Sequence, residues 1–527
     1  MDSLTRALTV GELLAAGRDE DVALAAPGRQ ALTYAGLREQ VLHTVTALNE
    51  RGIGRNDRVA IVLPNGPEMA SAFVSVAAGA TTAPLNPGYK ESEFDFYLSD
   101  LRAKTLLVEE GSDSPALAAA ERLGIPILQL RVEPGRPAGA FELGGDLGRP
   151  AGSREPGEGA GTELGAESAS PGGMATRDDI ALVLHTSGTT SRPKIVPLAQ
   201  RNICASAANI RRTLGLTDRD RCMNVMPLFH IHGLMAATLA PLSAGASIFC
   251  TPGFNALKFF TWLEEARPTY YSAVPTMHQA ILARASRNRE VLDRVSLRFI
   301  RSSSSSLPPR VMAELEETFG APVIEAYAMT EAAHQMTCNP LPPGERKPGT
   351  VGIAAGPEVS IMDEAGTLLP PGAVGEVVIR GANVTDGYES NAEANAAAFV
   401  NGWFRTGDQG RMDEAGYLTI TGRLKEIINR GGEKVSPREV DEVLMDHPAV
   451  QQVVTFAVPH EKLGEEVAAA AVLREGEEAS PQEIRDFAAA RLADFKVPRQ
   501  VVLLDEIPKG PTGKLQRIGL AEKLGLA

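Results

Sequence analysis

Short apolar runs of strand character, separated by alanine-rich segments of helical character, recur between residues 58 and 301 and constrain the fold more than any other feature of the chain. Residues 58–63 (Arg-Val-Ala-Ile-Val-Leu) and 103–108 (Ala-Lys-Thr-Leu-Leu-Val) flank a helical segment at 69–79, and the alternation continues through 246–250 and 297–301. Apolar runs too short for a helix read as buried strands, and strands alternating with helices build parallel α/β sheets. With 527 residues, the chain exceeds one ordinary domain, so more than one compact unit is expected.

From residue 371 onward the pattern changes. Glycine-punctuated strand candidates stand at 375–380 and 416–420 with Trp403 between them, and Gly422-Arg-Leu-Lys-Glu426 leads into Asn429-Arg-Gly-Gly432. A helix is expected to start at Ser436-Pro437, where serine caps and proline suits the first turn. The last hundred residues carry their own pattern, with a strand at 453–458 and a helix at 481–492. The expected fold class is α/β: a large N-terminal α/β domain with mixed sheets over residues 1–424, followed by a small C-terminal α+β domain over 425–527. Between about 133 and 173 the chain turns to Gly, Pro, Glu, Ala and Ser, and reads as an exposed low-complexity insertion.

A net charge of −14 disfavours nucleic acid or an anionic membrane as a partner, so any anionic ligand needs locally placed cations. No apolar run is long enough to span a bilayer, and no signal-like core follows the N-terminal Met-Asp-Ser-Leu-Thr-Arg. The four cysteines, Cys204, Cys222, Cys250 and Cys338, lack Cys-x-x-Cys spacing and the density of a disulfide scaffold. A reducing, cytoplasmic setting is the expectation.

Four stretches suggest chemistry. Thr186, Ser187, Gly188, Thr189 and Thr190, with Lys194 at the end, follow the apolar run 180–184; hydroxyls, exposed N–H groups and a cation suit a polyphosphate, although the spacing is not that of a Walker loop. A polar linker is the bland alternative. Tyr327-Ala-Met-Thr-Glu331 presents an aromatic, a hydroxyl and a carboxylate together, suited to stacking a base and holding Mg2+ at Glu331, or else to capping a helix. Arg405-Thr-Gly-Asp408 offers a carboxylate for ribose hydroxyls, or an ordinary turn. Lys514 ends the Pro/Gly-rich stretch 508–514, where a lone lysine is ordinarily just solvated.

Taken in order, these pieces resemble the acyl-adenylate-forming enzymes: acyl-CoA synthetases, luciferases and adenylation domains of peptide synthetases. The resemblance runs from about residue 32 to Lys514 and adds Pro227-Leu-Phe-His230 and Gly422-Arg-Leu-Lys-Glu426 to the stretches above. It implies ATP, Mg2+ and coenzyme A as ligands and a mobile C-terminal domain. Asp408 and Arg423 then bind ribose, Thr330 the adenylate phosphate and Glu331 Mg2+, while the 186–194 loop wraps the β- and γ-phosphates. Lys514 bridges the carboxylate and the α-phosphate during adenylation. Lys425 is the hinge, and Gly431 and Gly432 approach the pantetheine arm of CoA after rotation. Ser191 and Ile195 depart from the pattern where glycine is common, which bears on the phosphate loop's flexibility.

For the acid, the expected lining is the neighbourhoods of His230-Ile-His232, Arg301-Ser-Ser-Ser-Ser-Ser306 and Tyr327 to His334. Ala328 narrows the space that glycine leaves open in many fatty acyl relatives. Histidines and serines are a poor lining for an alkyl tail, because each unmatched buried polar group costs about 1–3 kcal/mol. They suit a second carboxylate. The stretches 185–194, 301–307 and 325–334 resemble the oxalate–CoA ligase branch of the family, which implies oxalate recognition by His232, His334 and Ser304, with His230 ordering the pocket. Ligation of another short or medium-chain acid, loading of a carrier protein, or a catalytically silent AMP-binding role remain as alternatives, and the sequence gives no oligomeric state.

Overall fold

The computed structural model describes residues 7–144, 172–186, 193–510 and 514–527. The insertion's residues 145–171 therefore lie outside the described residues. The architecture is mixed α/β with a large N-terminal part and a small C-terminal part, as the alternation of runs implies.

Two large sheets form the N-terminal part. One has nine strands, and its centre is parallel: Val22–Ala25, Ser247–Cys250, Arg221–Asn224, Tyr270–Ala273, Phe299–Ser303 and Val323–Met329 lie side by side in that order. Antiparallel Leu32–Thr33 closes one edge, and His334–Cys338 with Ile353–Ala354 closes the other. The second sheet has seven strands in the order Glu142–Gly144, Ile127–Arg131, Thr105–Glu109, Arg58–Val62, Thr81–Pro84, Ile180–His185 and Ile195–Ala199. Helix Pro67–Ala77 starts with proline at its first turn and buries every residue from Met69 to Ala77. A helix apolar all round must sit inside, and this one packs against elements of both sheets.

A third, antiparallel sheet joins Glu358–Met362, Gly375–Arg380, Trp403–Met412 and Phe399–Val400, with Leu418–Arg423 paired to Trp403–Met412. The C-terminal sheet contains Glu433–Val435, Ile428–Arg430, Gly464–Leu473 and Val450–His460, with Gln500–Leu503 parallel to Gly464–Leu473. Helix Pro437–Met445 is capped by the Ser436 hydroxyl, which accepts from the Glu439 N–H. Helix Pro481–Ala489 has a capping box between Ser480 and Glu483.

One expectation needs correcting. The stretch from about residue 133 is not exposed throughout: Ala138, Ala140 and Phe141 are buried, and Glu142–Gly144 pairs with Ile127–Arg131. Small residues such as Ala138 and Ala140 cover core with little side chain, so composition alone hides their burial. All four cysteines are free and buried, consistent with the missing disulfide pattern. Among the described residues no helix is long and apolar enough to cross a membrane.

Candidate active site

Strands of a parallel sheet place their carboxyl ends on one side, where ligands bind. Beyond the ends of Tyr270–Ala273, Phe299–Ser303 and Val323–Met329 lies a cleft of about 410 Å³, roofed by the C-terminal part of the chain. Thr186, His230, Ser304, Tyr327, Ala328, Thr330, Glu331, His334, Asp408, Arg423 and Lys514 all line it. Residues separated by over three hundred positions thus meet in one cavity.

The nucleotide-type groups are held by cross-strand geometry. Asp408 and Arg423 stand opposite each other on adjacent antiparallel strands and form an ion pair at 3.1 Å. The Tyr327 hydroxyl donates to the other carboxylate oxygen of Asp408. Burial raises the Asp408 carboxyl above its ordinary range, and Arg423 pulls it partly back. Upstream, Glu376 fixes the turn by accepting from the Gly407 N–H at 2.9 Å and from Arg405 Nε at 2.6 Å.

Thr330 opens a single 3-10 turn, Thr330–Ala332, that has no side-chain cap. The capping alternative for this motif therefore does not apply. Glu331 is buried, and its Oε1 accepts from the Tyr388 hydroxyl at 2.8 Å. Burial raises its carboxyl, opposed by Tyr388, Arg423 and Lys194. Lys194 sits with Nζ 4.4 Å from the Tyr388 ring centroid, a cation–π contact that links the phosphate-type loop to Glu331 through one tyrosine. Thr186 and Lys194, which flank that loop, are joined twice: the Thr186 N–H donates to the Lys194 carbonyl at 2.9 Å, and the Lys194 N–H donates to Thr186 Oγ1 at 3.2 Å. Ser187, Gly188, Thr189, Thr190 and the atypical Ser191 lie outside the described residues.

Lys514 comes from the opposite side. Its carbonyl accepts from the Gly510 N–H at 2.8 Å, and Arg517, three residues on, fastens the segment. Arg517 donates to the Thr455 carbonyl at 2.6 Å, pairs with Asp441 at 2.8 Å and with Glu426 at 3.2 Å. Burial, then repulsion from Arg423, lowers the Lys514 ammonium to about 8. Such a depressed lysine beside an anion-ready cleft marks a functional group rather than a solvated one.

The acid end of the cleft is polar. His230 lines it half-buried, and its Nδ1 accepts from the His232 N–H at 3.3 Å; burial and then Lys514 push its imidazole down to about 3, so it is neutral. His232 is fully buried and reaches the cleft through Ser304, whose Oγ lies 3.1 Å from its Nδ1. His334 stacks on His232 with centroids 4.9 Å apart and planes at 26°. Neither ring nitrogen of His334 has a hydrogen-bond partner among the described residues. Beneath them lies Arg301, fully buried in the strand Phe299–Ser303.

Lys425, Gly431 and Gly432 are not brought to the cleft; all three are exposed. Gly431 and Gly432 form the two-residue turn between Ile428–Arg430 and Glu433–Val435, with φ of +59° and +98°. That double left-handed turn is what a tight hairpin demands of glycine. Tyr388, Glu376 and Arg517 escaped the sequence reading, and Arg301 entered it only as the first residue of the expected acid lining. Tyr388 and Arg517 carry no motif, and an arginine inside a strand ordinarily reads as surface.

Thr186, a carboxylate paired with an arginine, a buried carboxylate and a lysine from the C-terminal part thus share one cleft, an arrangement suited to activating a nucleotide. The family model described as AMP-binding enzyme matches residues 12–389, and that described as AMP-binding enzyme C-terminal domain matches 439–514. The chain belongs to the AMP-binding enzyme family. It is 45% identical over 505 residues to the oxalate–CoA ligase of Arabidopsis thaliana, covering 94% of each chain. It is 42% identical over 504 residues to the oxalate–CoA ligase of Saccharomyces cerevisiae, covering 93% of this chain and 92% of that one. The ATP-bound crystal structure of MatB from Rhodopseudomonas palustris superposes with a TM-score of 0.85 at 29% identity, over 98% of this chain and 99% of that one.

Proposed function

We propose that this ATP-dependent acyl-CoA synthetase takes oxalate as its acid: oxalate and ATP give oxalyl-AMP and pyrophosphate, and CoA then gives oxalyl-CoA and AMP. The observation that carries the choice of acid is the unpartnered, buried His334 stacked on His232 beside Ser304. An alkyl tail would leave these groups unmatched, whereas a second carboxylate satisfies them.

In the first half-reaction Tyr327 stacks on the base, Asp408 and Arg423 hold the ribose, and Thr330 contacts the α-phosphate. Lys514 lines the cleft, and in this reading its charge offsets repulsion between an approaching carboxylate and the phosphate and stabilises charge developing on phosphorus. The Thr186–Lys194 loop holds the leaving pyrophosphate.

Glu331 would hold Mg2+. A single buried carboxylate next to a triphosphate suits an ion that keeps waters and phosphates as its other ligands. Among the described residues no cluster of three or more His, Cys, Asp or Glu forms a cage of its own. The ion would neutralise phosphate charge during pyrophosphate departure.

For the second half-reaction, rotation of residues 425–527 about Lys425 withdraws Lys514 and brings Gly431 and Gly432 toward the thiol-bearing arm of CoA. The hinge position, the boundaries 1–424 and 425–527 and a cytoplasmic setting belong to this same reading. Identification of the thioester tests it: oxalate, ATP and CoA are expected to yield oxalyl-CoA and AMP in equal amounts. Release of ADP, or no thioester with oxalate, would refute it.

A further inference from the structure

Arg301 is fully buried, yet among the described residues no carboxylate pairs with it. Its Nη2 donates to Gln335 Oε1 at 3.2 Å, its Nη1 donates to Ser272 Oγ at 3.3 Å and lies 3.5 Å from His232 Nε2, and its Nε has no partner among the described residues. A buried charge without a counter-charge is costly, so its retention points to a role beyond packing.

Hydrogen-bond directions follow from chemistry. A guanidinium only donates, and Arg301 Nη1 faces both Ser272 Oγ and His232 Nε2, so Nε2 is an acceptor and takes the Ser272 proton from 2.6 Å away. With Nε2 accepting, the histidine proton lies on Nδ1 and donates to Ser304 Oγ at 3.1 Å. The Ser304 proton is then left to point into the cleft that Ser304 lines. Ser304 sits at φ +74°, immediately after the strand that carries Arg301.

We infer that Arg301 and Ser272 are positioning residues that fix a one-way donor relay, Arg301 to Ser272 to His232 to Ser304, and thereby make the far end of the acid pocket selective for a second carboxylate. Without Ser272 the His232 tautomer is no longer dictated; without Arg301 the relay loses its charge. Neither residue touches the substrate. The inference rests on the dicarboxylate reading and specifies how that reading is enforced.

The test compares kcat/KM for oxalate with kcat/KM for glyoxylate, which has the same carbon skeleton and one carboxylate, in the wild type and in Ser272→Ala, Arg301→Met and Arg301→Lys. The expected result is a fall in the oxalate-to-glyoxylate ratio of about tenfold in Ser272→Ala and about a hundredfold in Arg301→Met, through KM for oxalate, with KM for ATP unmoved. Arg301→Lys restores part of the ratio. Thermal melts establish that each variant folds, and Ser272→Ala alone decides if Arg301→Met does not. A wild-type preference for oxalate that survives Ser272→Ala, or equal losses on both acids, overturns the relay. A wild type with no preference for oxalate overturns the dicarboxylate reading, and the relay with it.

Discussion

Asp408 and Arg423 face each other at 3.1 Å as a cross-strand pair, with the Tyr327 hydroxyl on the second carboxylate oxygen. The acid is thereby oriented before any ligand arrives. Asp408→Ala is expected to raise KM for ATP by roughly 10- to 150-fold, the loss of about 1.5–3 kcal/mol for hydrogen bonds to a charged group. KM for the acid should move little. Steady-state kinetics with each substrate varied check this split.

Lys514 and the Gly431-Gly432 turn lie in the same C-terminal part, but only Lys514 lines the cleft. Lys514→Ala should slow acyl-AMP formation by about 10²- to 10³-fold, the cost of losing one pre-placed charge-stabilising donor. Thioester formation from supplied acyl-AMP should be nearly unchanged. Gly432→Val should show the reverse. Single-turnover assays of each half-reaction check this, and equal losses in both would count against domain alternation.

The Lys514 ammonium, lowered to about 8 by burial and Arg423, sets a pH limb. The protonated form is the active one, so it is present below that value and lost as pH rises through it. The kcat/KM for adenylation, which reports the free enzyme, should be level below about 8 and fall above. In Lys514→Arg the guanidinium stays protonated, so residual activity should lack this limb. A pH profile of pyrophosphate release measures both.

Gly352 has φ +81°, and a Cβ there would lie 2.0 Å from the carbonyl carbon of Cys338. Its neighbour Val351 ties two sheets together, donating to Leu418 O at 2.8 Å and accepting from the Thr337 hydroxyl at 2.6 Å. Gly352→Ala should destabilise the protein by about 2–4 kcal/mol. Gly372, also at positive φ but with nothing within 4 Å, is the control; its alanine variant should cost only about 1–2 kcal/mol. Denaturant titration separates the two.

Much of this was legible before the structure. The runs at 58–63, 246–250 and 375–380 became the strands Arg58–Val62, Ser247–Cys250 and Gly375–Arg380, because buried strands need uninterrupted apolar or alternating residues. Tyr327, Glu331, Asp408, Arg423 and Lys514 could be gathered into one site because each sits in a local motif of distinctive composition. Tyr388 could not, since its role depends on a hydroxyl meeting a carboxylate 57 positions away. The roles of Arg301 and Ser272 were opaque for a similar reason: an arginine and a serine acquire them only when adjacent parallel strands place both under the same histidine. His232 was named as a ligand, but its burial gives it an indirect route through Ser304. Phe141 and the strand Glu142–Gly144 were hidden by a glycine- and proline-rich context.

The most direct test of the central claim is acid-dependent CoA consumption with oxalate, malonate, acetate and octanoate, each at matched ATP and Mg2+. A pocket built around His232, His334 and Ser304 predicts the highest kcat/KM with oxalate and negligible turnover of octanoate. A higher kcat/KM with octanoate or acetate than with oxalate would contradict it.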